Sequence, residues 1–257
     1  MSTLTQLFTS IANAIRAKKG TSALIEAEDF PTEIAGIEIG KLTEEQYNQA
    51  VTLTEQILGT DLPYIKLEYI QASGTQYIDT GYKASQATKT EMLIQTVNTT
   101  STFVPFGSRG YYSNDYIIGI DYNDRNYIQY NTNTAIYTSY GEGAPLRNTL
   151  MTVSLDNTKG RITYNNTNID MIPTDTGSFS CPVNLYLGCL NDNGTVKYSQ
   201  PYKLYSCKIY NGETLTRDYI PVKRKSDNAI CLYDKVSEEF FTNAGSGVFT
   251  AGPVAVS

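Results

Sequence analysis

Histidine and tryptophan are both missing from the 257 residues. Without histidine the chain lacks the commonest general base at neutral pH, the commonest metal ligand and the ordinary pH switch, so acid–base chemistry would fall to carboxylates, tyrosine or lysine. Cysteine is scarce. Cys181, Cys189, Cys207 and Cys231 show no CxxC spacing and lie in apolar, strand-like runs, which predicts buried reduced thiols ahead of disulfides or metal ligands. No apolar run approaches the ~18–20 residues of a membrane span. The start, MSTLTQLFTSIANAIRAKKG, has no basic segment followed by an apolar block and a small-residue cleavage site, so no signal peptide is expected. Long basic runs are lacking as well: the longest is Lys223-Arg224-Lys225, and the formal net charge is −6. Nucleic acid is therefore disfavoured as a partner. No cofactor or metal site is predicted.

What is abundant is tyrosine, 21 residues against 8 phenylalanines. Tyrosine suits half-buried strands and interfaces first, and polar-ligand surfaces second. Leu4, Leu7, Phe8, Ile11, Ala12 and Ile15 recur at helical spacing and predict one amphipathic helix ending before Gly20. A short helix carrying Ile34 and Ile37 follows Pro31. Thr43 and Gln46 have the spacing of a capping box, and Tyr47, Ala50, Val51, Thr54, Ile57 and Leu58 follow it in heptad rhythm. That rhythm fits either packing against the first helix or a small trimeric bundle. Gly59 to Pro63 ends the helical part, dividing the chain into a helical module at 1–63 and a β domain at 64–257. The first part carries 4 basic and 9 acidic side chains, which leaves 16 and 17 for the second. The acidity thus sits in the helical part, the pattern of a charged docking tag or of a solvated helix face.

From Tyr64 onward, strand signals alternate with Asn, Asp and Gly clusters about every ten residues, the pattern of a β-sandwich. Tyr205, Cys207 and Ile209 alternate with Ser206, Lys208 and Tyr210, and Asn211-Gly212 then supplies a tight turn. Val183, Leu185, Leu187 and Cys189 read as another strand, and the strands Tyr116 to Tyr122 and Tyr127 to Tyr130 join across Asn123 to Asn126. The order of YIKLEYIQASGTQYIDTGYK, LYLGCLNDNG, KIYNGETLTRDYIPVKRKSD and LYDKVSEEFFTNAGSG resembles the concanavalin A-like (laminin G-like) jelly rolls appended to bacteriophage and prophage tail proteins. The pairing of IANAIRAKKGTSALI with AEDFPTEIAGI resembles a short N-terminal module of phage tail and baseplate proteins.

The resemblance implies a mainly β chain, a concanavalin A-like jelly-roll β-sandwich with a small α-helical N-terminal appendage. It also implies a non-enzymatic virion structural protein, a tail, baseplate or fibre component assembled in the host bacterial cytoplasm. The helices, through Leu4, Leu7, Phe8, Ile11 and Ile15, would attach it to other virion proteins, and the jelly roll would touch host-surface polysaccharide or a neighbouring subunit. Two other readings stand beside this one: a surface-glycan hydrolase or depolymerase subunit, and a capsid decoration protein without a ligand. Some concanavalin A-like glycoside hydrolases project paired carboxylates from one strand at i, i+2 and i+4, and no such acidic alternation occurs here. For binding, the richest loop runs from Phe106 to Asp115 and the next from Tyr122 to Tyr127. Tyrosine rings stack on sugar faces while Asn, Asp and Arg hydrogen-bond hydroxyls, which selects Arg109, Tyr111, Tyr112, Asp115, Tyr122, Asp124 and Arg125 as ligand contacts. Polar hairpin loops with interface tyrosines are the competing explanation of the same residues.

Overall fold

A computed structural model describes residues 9, 11–17, 25, 62–99, 101–110, 114–139 and 148–255. The chain divides into two compact units, Met1–Pro63 and Tyr64–Ser257. In the first, residues 11–17 are helical, with Ala12 and Ile15 buried and Ile11 half-buried. Leu4, Leu7, Phe8 and the expected heptad helix lie outside the described residues.

The second unit is a jelly-roll sandwich of two mainly antiparallel sheets. Along the larger sheet the strands run Thr167–Met171, Gly160–Tyr164, Leu150–Leu155, Thr88–Thr96, Tyr202–Asn211, Thr214–Arg224, Ile230–Asp234 and Glu239–Phe241. The smaller sheet orders Thr195–Lys197, Leu190–Asp192, Phe103–Arg109, Tyr116–Ile120, Asn126–Tyr130 and Ile136–Tyr137. Thr88–Thr96 shows why these segments pair: alternate residues Thr88, Thr90, Met92, Ile94 and Thr96 are buried and those between are half-buried, the period of two that gives a strand one core face. Met92, Ile94, Val153, Leu155 and Ile209 from the larger sheet meet Phe103, Phe106, Ile118 and Ile128 from the smaller in one core.

Tyrosine fills much of that core and fixes its geometry. Tyr116 is fully buried, and its hydroxyl donates across the sandwich to the Leu155 carbonyl at 2.6 Å and shares a second hydrogen bond with Thr90 Oγ1 at 3.1 Å. Thr90 and Leu155 are direct partners in the larger sheet, so one hydroxyl reads one register position. Tyr130 and Tyr202, also buried, donate to the carbonyls of Gln86 and Gln76.

Three strand expectations require correction. Tyr205 does not share a face with Cys207 and Ile209, because a bulge between Leu204 and Ser206 shifts the register, turning Leu204 into the core and Tyr205 outward. In the following turn only Gly212 has positive φ, 60°; Asn211 stays in the ladder opposite Thr214. Val183 to Cys189 is not one strand. Gly188, at φ 87°, reverses the chain so that Tyr186–Leu187 runs antiparallel and Leu190–Asp192 parallel to Phe103–Arg109. The four cysteines are free and buried, and burial pushes the Cys231 thiol up to about 11.

Two substitutions test this packing. Tyr116→Phe leaves the Leu155 carbonyl and Thr90 without their partner and is expected to cost about 1–2 kcal/mol in urea unfolding. Gly188→Ala combines an unfavourable positive φ with a Cβ that overlaps the Tyr202 ring, and is expected to cost about 2 kcal/mol or more.

Candidate functional site

Both central strands of the smaller sheet, Tyr116–Ile120 and Asn126–Tyr130, are buried along their whole length. A sandwich strand with one wet face would alternate. On the side away from the main core, Val104, Ile117, Tyr127 and Leu190 form a separate apolar cluster with Ala135 packed against it. Gly119 makes this possible: a Cβ there would come within 2.5 Å of the Tyr127 ring. At the edge of this covered face opens a pocket of about 590 Å³, lined among others by Arg109, Asp115, Gln129, Asn133, Tyr137 and Tyr198.

The polar floor is a chain of partners. Arg109, at the end of its strand, donates from Nε to Asp115 Oδ2 at 3.0 Å and from Nη2 to Gln129 Oε1. Gln129 in turn donates to the Asn133 carbonyl. The Asp115 side chain is fully buried, and its Oδ1 has no hydrogen-bond partner among the described residues. Burial therefore dominates its titration. Desolvation pushes the carboxyl up to about 6, the charge and hydrogen bond of Arg109 oppose the rise, and the nearby charge of Asp192 adds to it.

Two tyrosines stand at the rim, Tyr137 46% exposed and Tyr198 42% exposed. Tyr198 holds a positive φ of 57°, and its carbonyl accepts the Val104 amide, which fixes this loop against the sheet. Tyr137 is paired across the sheet with Tyr127, ring centroids 5.5 Å apart. The Arg125 guanidinium lies 4.3 Å over the Tyr137 ring and is gripped by Asp121 Oδ2 at 2.9 and 2.6 Å. Asp121 also accepts the amides of Asn123 and Arg125, so one carboxylate both shapes the turn and holds its arginine.

Of the sequence-selected contacts, the structure brings Arg109 and Asp115 together in the pocket floor, while Arg125 lies outside the lining, against the ring of Tyr137. Tyr122, 70% exposed, and Asp124, at φ 55°, occupy the 121–125 turn. That turn lies at the far end of a strand from Asp115, six residues and roughly 20 Å away at ~3.4 Å per residue. Tyr111 and Tyr112 lie outside the described residues. Gln129, Asn133, Tyr137 and Tyr198 escaped sequence reasoning. Only cross-strand register places Gln129 opposite Ile117 and Tyr137 opposite Tyr127.

The buried carboxylates among the described residues are each paired with a different cation: Asp115 with Arg109, Asp121 with Arg125, Asp218 with Lys235 and Asp234 with Arg217. No group of three or more Cys, Asp or Glu side chains suited to a metal occurs among the described residues.

No protein-family model matches the chain, and no curated protein matches it. Among solved structures it is similar to the CBM40 of the Ruminococcus gnavus IT-sialidase bound to alpha2,3 sialyllactose, with 12% identity over 57% of this chain and 91% of that one, TM-score 0.42. It is similar also to the carbohydrate-binding module CBM66 from Bacillus subtilis, with 11% identity over 55% and 89%, TM-score 0.33. Domains LG4-5 of the mouse laminin alpha1 chain align at 13% identity over 68% and 48%, TM-score 0.39. At these scores the likenesses carry no argument about the pocket.

The pocket's electrostatics have a measurable sign. Folding lifts the Asp115 carboxyl from an ordinary 3.8 to about 6, so between those values the folded chain holds a proton that the unfolded chain has released. Stability therefore falls as pH rises through about 4 to 6 and stays lowered above. Asp115→Asn removes this dependence, so its stability relative to the wild type is expected to increase across that window in urea titrations at stepped pH.

Proposed function

We propose that this chain is a non-enzymatic virion structural protein of a bacteriophage or prophage-derived particle, carried at the tail, baseplate or fibre. Its N-terminal helices attach it to other virion proteins, and its jelly roll holds a host-surface glycan in the Arg109–Asp115–Gln129 pocket. The observation that carries the binding half is the pairing of a hydrogen-bonding floor with the half-exposed rings of Tyr137 and Tyr198. Such rings stack against the C–H faces of sugars while fixed polar groups select among hydroxyls. The virion half is supported by the order of the strand motifs and by the N-terminal helical pairing.

Tyr137→Ala and Tyr198→Ala are each expected to weaken glycan binding by about 1–2 kcal/mol, roughly five- to thirty-fold. The measurement is calorimetry with soluble monovalent glycans, since display on a particle masks single-site losses by avidity. Unchanged affinity in both folded variants would remove the glycan from this pocket.

Attachment has its own test. Leu7→Asp combined with Ile11→Asp puts charge into the apolar stripe and is expected to abolish incorporation into particles while the β unit keeps its circular dichroism. Normal incorporation would move the anchor elsewhere.

A further inference from the structure

The glycan reading leaves open what charge the ligand carries, and the ion pairs around the pocket bear on that question. Among the described residues, the charged side chains lining it are Arg109 and Asp115, opposite in sign and joined at 3.0 Å. Cations outside the lining are also matched: Lys197 with Asp192, and Arg125, at the far turn, with Asp121. The pocket thus presents no surplus positive charge. An incoming carboxylate on the remaining Arg109 donors would share the guanidinium with Asp115, whose side chain is fully buried and whose Oδ1 has no hydrogen-bond partner among the described residues. Two carboxylates sharing one cation, one of them buried, repel each other and leave the pocket with an uncompensated negative charge.

A hydroxyl-bearing ligand adds no such charge. Guanidinium has five N–H donors, and Asp115 and Gln129 engage Arg109 only through Nε and Nη2. The remaining donors suit neutral sugar oxygens, with the ring faces against Tyr137 and Tyr198. Resting on the glycan reading, we infer that the pocket takes neutral, hydroxyl-rich sugars and rejects carboxylated ones, and that Asp115 sets this preference by cancelling Arg109. Asp115 touches Arg109 rather than the ligand, so it acts as a positioning and charge-setting residue.

Removing the Asp115 charge should then open the pocket to anions. The charged groups around it are Arg109 on the Phe103–Arg109 strand, Asp192 and its partner Lys197 on the next two strands, and the Asp121–Arg125 pair at the far turn. Since burial lifts Asp115 to about 6, mild acid neutralises it in the wild type, as Asp115→Asn does at any pH.

The experiment titrates the full chain with oligosaccharide pairs that differ in charge: glucose against glucuronate oligomers, galactose against galacturonate oligomers, and lactose against sialyllactose. Calorimetry is run at about pH 7.5 and about pH 5, on either side of the Asp115 midpoint. At the higher pH the neutral member of a binding pair is expected to bind about tenfold tighter or more. Asp115→Asn should shift the ratio toward the acidic member by about tenfold, and lowering the pH should do the same for the wild type but not for the variant. A wild-type preference for acidic sugars at the higher pH overturns this inference and leaves the glycan site standing. A ratio that neither the folded variant nor the pH change moves removes Asp115 from its role, and the wild-type pH arm decides this even where Asp115→Asn does not fold. Absence of binding by every member, neutral and acidic, overturns the glycan reading itself.

Discussion

A buried tyrosine hydroxyl must find an acceptor inside the protein, and this constraint organises the sandwich. The Tyr116 ring sits between the sheets with no exposure, where an unmet hydroxyl would cost about 1–3 kcal/mol. Its partners, the Leu155 carbonyl and Thr90 Oγ1, belong to one paired position in the opposite sheet. The bond therefore does more than contribute energy: it fixes where one sheet lies over the other. A phenylalanine core of similar volume would tolerate sliding between the layers, since dispersion is non-directional. Tyr130 and Tyr202 repeat the arrangement with the carbonyls of Gln86 and Gln76 at other places in the core.

The pocket inherits its geometry from this anchoring. Asp115 immediately precedes Tyr116 in the chain, so the residue that locks the sheets also sets where the neighbouring carboxylate begins its path. Tyr116 pairs with Ser108 and with Tyr130, the neighbours of Arg109 and Gln129, which brings all three floor residues to the same end of their strands. The three are thus consequences of strand register. Arg109 bridges them because its planar fork can address an acid through Nε and an amide through Nη2 at once.

The legible part of this chain was the part governed by period. Strand signals alternating with Asn-, Asp- and Gly-rich turns about every ten residues made the β-sandwich readable, and the order of the strand motifs carried the resemblance to a jelly roll. What was not legible was every departure from period two. The bulge between Leu204 and Ser206 moved Tyr205 to the other face, and Gly188 turned an apparent strand into a reversal. The bulge has no signal before partners are known, whereas Gly188 inside an apolar run marks a bend or bulge without saying that the chain reverses there. The site was half legible for the same reason. Arg109 and Asp115 stand out in a polar loop, but Tyr137 and Tyr198 look like any of the other tyrosines until register sets them at one rim. Arg125 was selected for hydrogen bonding, yet its Nε and Nη2 are taken by Asp121 and one face of the guanidinium lies on Tyr137.

That commitment points to a general feature of the β unit, whose near balance of 16 basic and 17 acidic side chains is achieved locally. Arg109, Arg125, Arg161, Arg217 and Arg224 each have an aspartate within ion-pair distance. Exposed pairs such as Arg161 with Asp170 contribute little stability, because water screens them and both side chains lose freedom. Their larger effect is on the field outside the domain. Charges matched at short range cancel beyond a Debye length, about 8–10 Å in ordinary salt, so these pairs steer no ion toward the surface. Recognition is then left to short-range terms, ring stacking and directional hydrogen bonds, and in the pocket the one carboxylate whose balance is least secure is the buried Asp115, where a single proton changes what Arg109 offers.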